Sequence, residues 1–482
     1  MTALAHSIDG RTFEFEASTS DAITIGAYVA IPAEDGSSYL GQVLAGEMTR
    51  SPASSGSGRG IAGRGRVLSR YDGDGFHSLD RAAGFEDAPL SLAPPKLVVD
   101  HFESAAGTTS ALELGRLQGS TEIPARLQAK GFGRHTFLCG QSGSGKTYTL
   151  GVVLERLLLD TDIRIVVIDP NSDYVNLGAI RPEESAGAAG DEFERLAARY
   201  DAVSSNVHVF GGEGSEKRLR AVFGRLSFEQ QSRVLGLHPL TETEEYNAFV
   251  RTVRRFEGAE YSLDELMAMI RSSFDDDARR LGLRIDNLGI QRQSIWAGSD
   301  EPVLEQLPDD WRMLVADIGS LPSPVEGSIA AAALLGFLWE ARRAKQPVIV
   351  VIDEAHNICP RNPTDSNQAL ATEHVVRIAG EGRKFGLYLL LSTQRPSKVH
   401  ENVISQCDNL LLMKMNSAAD LRSLSETFSY APSGLIELAS DFQLGEGLAA
   451  GKIAPDPILF KSGRRLTLEG GSDVPSTWAR SR

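Results

Sequence analysis

The residues with the clearest chemical pattern are Gly140–Thr147, which read GQSGSGKT. This order matches G-x-x-x-x-G-K-[ST], which is typical of a phosphate-binding loop between a buried strand and a helix. The apolar run TFLC precedes it, and a predicted helix, Tyr148–Leu159, follows. Glycines let successive backbone N–H groups face phosphate, and a helix start adds positive potential. We therefore predict an ATP site whose Lys146 reaches the β- and γ-phosphates and whose Thr147 ligates Mg²⁺; its residues are Gly140, Gln141, Ser142, Gly143, Ser144, Gly145, Lys146 and Thr147.

A pair of carboxylates forms the second pattern, VIVVIDEAH. The apolar strand predicted over Val348–Ile352 delivers Asp353 and Glu354 to its carboxyl end, where α/β sheets place their ligands. The pair could simply cap a helix, but one carboxylate would suffice for that. Together with a phosphate-binding loop, the pattern predicts ATP hydrolysis, with Asp353 holding Mg²⁺ through water and Glu354 activating the attacking water.

The four letters Asp353 to His356 also spell the label of one helicase class. Chains of that class carry two tandem motor lobes with an SAT element and a late Q-x-x-G-R-x-G-R run, and neither is found in this sequence. We therefore interpret His356 as a helix-start residue rather than as a coupling residue.

Three further polar residues lie near a predicted strand, Leu387–Leu391. Gln394 follows that strand, where an amide could sense the γ-phosphate or position water; hydrogen bonding at the strand end is the alternative. Arg383 and Lys384 precede it in GEGRKFG. Basic residues at a helix end commonly compensate its dipole. The alternative for Arg383 is an arginine finger that acts on the ATP of a neighbouring subunit, which implies a ring.

The composition limits the class of protein. The chain has 482 residues, enough for two or three domains. With 49 Lys and Arg against 64 Asp and Glu, the net charge is −15, so any DNA contact must be local. The three cysteines form no CxxC pair, which favours a reducing cytoplasm and argues against a zinc site. The longest apolar stretch, Ile329–Trp339, is shorter than the ~20 residues of a membrane span, so we expect neither membrane insertion nor export.

Apolar β-branched runs separated by helical stretches begin near Thr136. Continuous apolar strands indicate burial on both faces, and hence a mostly parallel sheet covered by helices. The predicted fold class is α/β, with a RecA-like P-loop NTPase core, an N-terminal small β-barrel and a helical insertion. The predicted segments are the barrel at 1–95, the first part of the core at 96–211, the insertion at 212–299, the second part of the core at 300–462, and a C-terminal tail at 463–482.

Two segments have unusual composition. Ser51–Arg66 is rich in Gly and Ser and predicts a mobile loop between strands of the barrel. The insertion has a local excess of basic residues. Solvated helix faces explain most of them, and nucleic-acid contact is the alternative; the residues are Lys217, Arg218, Arg220, Arg251, Arg254, Arg255, Arg279, Arg280 and Arg284.

With these motifs assembled, the chain resembles the HerA-type hexameric ATPases of the HerA/FtsK group over nearly its whole length. The resemblance rests on GRHTFLCGQSGSGKTYT, DPNSDY (Asp169–Tyr174), VIDEAHNICP, EGRKFG, LLLSTQRPSKVHENVISQCDN and LGEGLAAG. The family often has DPHGEY where this chain has DPNSDY, so only Asp169, Pro170, Asp173 and Tyr174 of that motif carry the comparison.

The resemblance implies roles for individual residues. Lys146 and Thr147 would bind nucleotide and Mg²⁺, Asp353 and Glu354 would hydrolyse ATP, and Gln394 would sense the phosphate. Arg383 matches the arginine donated in trans, and Arg134, in GFGRH, matches a second arginine that serves the nucleotide site.

The resemblance also implies a homo-oligomer, a hexamer, that moves double-stranded DNA through a central channel for a nuclease or sirtuin-like effector subunit. Anti-phage defence and DNA end processing are the pathways it implies. Because only charges that line a channel act strongly on DNA inside it, a net charge of −15 does not oppose this function. Two other readings stay open: an ATP-binding regulatory scaffold that activates an effector without moving DNA, and a conjugation or secretion ATPase of the same superfamily.

Overall fold

The computed structural model describes residues 3–33, 35–50, 59–77, 79, 83–107, 110–182, 188–297 and 302–470. The chain divides into two compact units. The first comprises Met1–Phe132, Gly140–Thr149 and Asp408–Arg464, and the second Gly133–Cys139, Leu150–Cys407 and Arg465–Arg482. These limits differ from the segments predicted from the sequence, because strands from near the C-terminus complete the first unit.

One antiparallel sheet of the first unit is formed by the N-terminal residues. Its strands are β1 (Leu4–Ser7), β2 (Thr12–Ser18), β3 (Tyr28–Pro32), β4 (Ser38–Arg50), β5 (Arg59–Asp72), β6 (Gly75–His77), β7 (Phe85–Pro89) and β8 (Ser91–Leu92). They pair in the order β7-β1-β2-β5-β4-β3-β8, with β6 on β5. Only Leu90 separates β7 from β8. This one segment therefore pairs with β1 through β7 and with β3 through β8. Alternating inward residues, among them Phe13, Phe15, Val29 and Ile31, form the core of the sheet.

The loop predicted over Ser51–Arg66 is wrong for its second half, because β5 begins at Arg59; residues 51–58 lie outside the described part of the chain. Phe13 and Phe15 of β2 pair with Gly65 and Gly63 of β5. A Cβ at Gly65 would lie 2.1 Å from Phe13 Cζ, so the glycines provide the space that the rings fill. Because the apolar side chains that cover this part of β5 belong to β2, the sequence of β5 itself contains few apolar residues that would predict a strand.

Replacing Gly65 with alanine is therefore expected to destabilise the first unit. The added Cβ would also lie 2.5 Å from the backbone oxygen of Gln42, which cannot rotate away, and overpacking of this kind costs about 1–3 kcal/mol or more. Denaturant unfolding monitored by circular dichroism measures the change. Gly73→Ala is the control, since nothing lies within 4 Å of a Cβ at Gly73. Equal stability of Gly65→Ala and wild type would contradict this packing.

A second antiparallel sheet in the first unit joins distant parts of the chain. Its strands pair in the order β10-β9-β19-β18-β17. The elements of this part are α1 (Pro95–Ala106), β9 (Ala111–Leu117), β10 (Pro124–Gln128), β17 (Cys407–Met413), α12 (Ala418–Thr427), α13 (Ser433–Glu437), β18 (Glu446–Gly451) and β19 (Ala454–Ser462). The helix α2 (Lys146–Asp160) begins in the first unit and continues in the second.

The second unit contains a six-stranded parallel sheet with helices. The strands β11 (His135–Cys139), β12 (Arg164–Asp169), β13 (Val207–Phe210), β14 (Met313–Asp317), β15 (Val348–Ile352) and β16 (Leu387–Thr393) pair in the order β11-β16-β15-β12-β14-β13. Every residue of β11, β14 and β15 is buried, as continuous apolar strands require. The α/β class predicted from the sequence is confirmed. The helices are α3 (Ala188–Ser204), α8 (Pro324–Ala341), α9 (Ala355–Ile358), α10 (Ser366–Glu381) and α11 (Glu401–Ile404), besides those between 212 and 299.

The described residues of the segment predicted as an insertion contain four α-helices: α4 (Phe228–Val234), α5 (Thr243–Arg254), α6 (Leu263–Arg271) and α7 (Asp276–Leu288). Several of its basic side chains make ion pairs within the insertion. The pairs include Arg251 with Asp275 at 2.5 Å, Arg280 with Glu244 at 2.7 Å and Arg284 with Glu245 at 3.3 Å. These carboxylates offset the local basic excess, as expected for solvated helix faces.

The predicted tail is part of the second unit from Arg465 onward. Arg465 is fully buried, and Glu155 of α2 accepts hydrogen bonds from the backbone N–H groups of Leu466 and Thr467 at 2.8 Å. Burial raises the pKa of Glu155, and these N–H donors oppose the rise. Residues 471–482 lie outside the described part of the chain. Among the helices that the structure describes, none has the length and apolar character needed to cross a membrane.

Candidate nucleotide site

The phosphate-binding loop follows β11 and ends in the first turn of α2. Gly143 and Gly145 have φ values of 73° and 87°, in the left-handed region that favours glycine. The backbone N–H of Gln141 donates to the Lys414 oxygen at 2.9 Å, and that of Gly445 donates to the Ser144 oxygen at 3.0 Å. These bonds lie within the first unit and hold the loop in place.

The carboxylate pair follows β15 directly. Asp353 is fully buried, and Glu354 is 3% exposed. Glu354 has a φ of 42°, a left-handed conformation that costs a residue with a Cβ about 1–2 kcal/mol. Such strain persists only where surrounding contacts maintain it, and it is concentrated at functional sites.

Gln394 contacts Glu354 across two neighbouring strands. Its Nε2 donates to Glu354 Oε1 at 2.7 Å. The strand order explains this contact: β16 lies between β11 and β15, so the residue after β16 lies beside the carboxylates that follow β15. In the register, Cys139 of β11 pairs with Thr393 of β16. The residue that follows Cys139 is the first of the phosphate-binding loop.

His356 has a contact that the sequence did not reveal. Its Nδ1 lies 3.1 Å from Glu354 Oε2 and 3.1 Å from Thr393 Oγ1. His356 is part of the short helix α9, as the helix-start interpretation predicts, but it also lies against the carboxylate. Glu354 Oε1 accepts a hydrogen bond from Gln394, whereas Oε2 lies within ion-pair distance of His356 without hydrogen-bond geometry. His356 and Thr393 are 37 residues apart in sequence. Their contact follows from the strand register, so no local sequence signal predicts it.

Asp169, at the end of β12, is a third buried carboxylate on this edge of the parallel sheet. Burial raises its pKa to about 7, and the negative charge of Asp353 adds to the rise. Backbone N–H groups of Asn171, Asp173 and Tyr174 oppose the rise by donating to the carboxylate at 3.2, 3.1 and 2.8 Å. Asp169 therefore shapes the turn that carries DPNSDY, a role that the motif comparison alone did not specify.

The two candidate arginines lie at the opposite edge of the parallel sheet. Arg134 is exposed and directly precedes β11, and Arg383 is half-buried in a 3-10 helix, Gly382–Phe385, that precedes β16. Between them, His135 Nδ1 accepts from the Leu389 N–H at 2.9 Å, and His135 Nε2 lies 3.0 Å from the Ala379 oxygen. The structure thus brings Asp353, Glu354 and Gln394 together and separates both arginines from them.

The separation is large compared with a side chain. Five residues of strand span about 16 Å at ~3.3 Å per residue, and an arginine side chain is much shorter. Within one copy of the second unit, neither arginine can therefore reach Glu354.

Comparison with known proteins identifies relatives of this chain. Residues 112–321 match the family model described as "Helicase HerA, central domain". The chain is 25% identical over 404 residues to the DNA double-strand break repair helicase HerA of Sulfurisphaera tokodaii, covering 80% of this chain and 76% of that protein. It is 24% identical over 414 residues to the HerA helicase of Sulfolobus acidocaldarius, covering 82% and 78%.

Among solved structures, VirB4 of Thermoanaerobacter pseudethanolicus is similar with a TM-score of 0.50 and 15% identity, covering 74% of this chain and 97% of that one. At this identity the similarity shows the fold alone. The chain is thus similar to HerA helicases over most of its length, and its residues 112–321 match their central domain, in agreement with the resemblance that the motifs indicate.

Proposed function

We propose that the chain hydrolyses ATP. In this proposal the backbone N–H groups of Gly140–Thr147 and the Lys146 ammonium bind the phosphates. Thr147 and Asp353 offer a hydroxyl and a carboxylate oxygen, the donors that Mg²⁺ prefers when phosphates and water supply the other ligands. Glu354 accepts a proton from the water that attacks the γ-phosphorus, and ADP leaves. The hydrogen bond from Gln394 Nε2 to Glu354 Oε1 at 2.7 Å supports this role for Glu354, since it fixes the orientation that a general base needs.

We further propose that the active form is a ring, a hexamer. The observation that carries this proposal is the position of Arg134 and Arg383 at the sheet edge opposite to Glu354. A head-to-tail interface brings opposite edges of adjacent subunits together and closes into a ring. Each arginine would then act on the ATP of a neighbour, where a cation stabilises the charge of the transition state.

The substrate that fits this assembly is double-stranded DNA, moved through a central channel. The curated relatives carry the name DNA double-strand break repair helicase, which supports DNA as the partner. We propose that the motor works in the cytoplasm with a nuclease or sirtuin-like effector subunit, in DNA end processing or anti-phage defence.

Duplex DNA binding tests the proposed substrate. We expect random-sequence duplexes to bind with similar affinities, because phosphate contacts carry no sequence information. The logarithm of the binding constant should fall linearly with the logarithm of the salt concentration, by about 0.9 per phosphate contact. Fluorescence anisotropy with labelled duplexes between low and moderate salt measures the slope. Binding that is insensitive to salt, or confined to one sequence, would contradict the proposal.

A further inference from the structure

Two loops beside the carboxylates are joined to each other by backbone contacts. They are residues 359–364, after α9, and residues 394–400, after β16. Pro360 and Val399 form an antiparallel bridge, the N–H of Arg361 donates to the Lys398 oxygen at 2.7 Å, and the N–H of His400 donates to the Cys359 oxygen at 3.0 Å. We call residues 359–364 and 394–400 the paired loops. Their backbone pairing gives them a defined shape before any ligand binds, which lowers the entropic cost of binding.

The paired loops carry three cations and no carboxylate, and one exposed carboxylate directly follows each loop, Asp365 and Glu401. Arg361, Arg395 and Lys398 are all exposed. Arg361 forms an ion pair at 3.1 Å with Glu401, which lies just outside the loops. Within the described part of the chain, Arg395 and Lys398 form no ion pair, in contrast to several cations of the helical insertion. On a protein with a net charge of −15, this is a local positive surface.

The remaining exposed residues of the paired loops favour phosphate over an apolar protein partner. Asn362 and Ser397 are exposed and can donate hydrogen bonds to phosphate oxygens. Thr364 is also exposed, but its hydroxyl donates to Gln368 Oε1 at 3.1 Å. Val399, the large aliphatic residue of the loops, is 2% exposed. Protein interfaces are enriched at their centre in exposed aromatic and Met side chains, and the loops contain neither type.

A short chain of contacts leads from the paired loops to Glu354. The N–H of Arg395 donates to Thr393 Oγ1 at 3.0 Å. Thr393 Oγ1 lies 3.1 Å from His356 Nδ1, which in turn lies 3.1 Å from Glu354 Oε2. Thr393 is fully buried, so protein atoms rather than solvent surround the hydroxyl that connects the Arg395 backbone to His356.

We propose that the paired loops bind the phosphates of duplex DNA through Arg395 and Lys398, and that Thr393 and His356 transmit this contact to Glu354. The inference rests on the proposed function. It specifies which residues contact DNA and how bound DNA alters ATP hydrolysis. In this arrangement His356 and Thr393 are positioning residues. DNA shifts Arg395, and the shift changes the orientation of the Glu354 carboxylate toward the attacking water.

The first arm of the test measures DNA binding. The double variant Arg395→Ala and Lys398→Ala should bind a labelled random-sequence duplex at least about 10-fold more weakly than wild type, because it loses two charge-assisted contacts to phosphate. Its salt slope should become less steep by about 0.9 per lost contact. The control, Arg254→Ala with Arg255→Ala, removes two exposed cations from the insertion and should bind like wild type. A thermal shift on adding ATP confirms that each variant is folded.

The second arm measures transmission as the ratio of ATP turnover with and without DNA. Thr393→Val removes the hydroxyl and should bind DNA normally, yet its ratio should fall to about 1. Thr393→Ser restores the hydroxyl and should restore the ratio. A purely structural defect in Thr393→Val would lower ATP turnover equally with and without DNA and leave the ratio at the wild-type value. That result would contradict the proposed transmission. If the double variant Arg395→Ala and Lys398→Ala bound DNA as tightly as wild type, the proposal that the paired loops bind DNA would be wrong. Wild-type protein without any DNA binding would overturn the proposed function itself.

Discussion

Glu354→Gln protein is expected to bind ATP with near wild-type affinity and to hydrolyse it at least about 100-fold more slowly, since general base catalysis contributes about 10²–10⁴-fold. Glutamine has the shape of glutamate, and its oxygen can still accept the hydrogen bond that Gln394 donates to Glu354. It cannot take a proton from water. The local structure should therefore persist while the chemical step fails.

Titration with a fluorescent ATP analogue and a phosphate-release assay measure the two quantities separately. Lys146→Ala should lose binding as well as hydrolysis, which distinguishes the phosphate site from the base. Glu437→Gln, at an exposed carboxylate of α13, is the matched control and should hydrolyse ATP at the wild-type rate. Unchanged hydrolysis by Glu354→Gln would contradict the assignment. If Glu354→Gln lost hydrolysis but retained full biological activity, the chain would act as a regulatory scaffold rather than as a motor.

Arg383→Ala protein should likewise bind ATP but lose about 10³-fold or more in turnover, the range found for arginine fingers. The reason is geometric: Arg383 precedes β16, while Glu354 and Gln394 lie at the carboxyl ends of β15 and β16. An arginine in that position cannot reach its own subunit's Glu354, so a loss of turnover in its absence would report on a neighbouring subunit.

The adjacent Lys384 provides a matched control. It is exposed and belongs to the same 3-10 helix, so Lys384→Ala alters local charge without removing the proposed finger. We expect Lys384→Ala to retain most of its turnover in the same assay. Equal losses in the two variants would instead indicate that both residues act only on the dipole of the preceding helix. Arg134→Ala, at the same edge, is expected to lower turnover in the same direction as Arg383→Ala.

The site residues that could be predicted from the sequence are those that a recognisable local pattern marks. Asp353, Glu354 and Gln394 each follow an uninterrupted apolar strand, and parallel strands bring their carboxyl ends to one edge. The positions of Arg134 and Arg383 at the other edge follow from the same reasoning, since Arg134 directly precedes β11 and Arg383 lies in the 3-10 helix before β16.

Other features required the three-dimensional register. The strand at Arg59 was predicted as a loop because its glycines are covered by Phe13 and Phe15 of another strand. His356 lies 3.1 Å from a Glu354 that has a left-handed φ, a conformation that the residue type does not predict. The high pKa of Asp169 arises from burial, and burial of a carboxylate is the opposite of what composition predicts.

The most direct measurement of the central claim, that two copies of the chain complete each ATP site, is turnover in mixtures of Lys146→Ala and Arg383→Ala subunits. Each variant alone should be inactive. In a randomly assembled ring, about a quarter of the interfaces would combine an intact phosphate-binding loop from one subunit with an intact arginine from its neighbour. If two copies complete each site, mixing should restore turnover in that proportion. Mixtures as inactive as the separate variants, or Arg383→Ala alone as active as wild type, would contradict it.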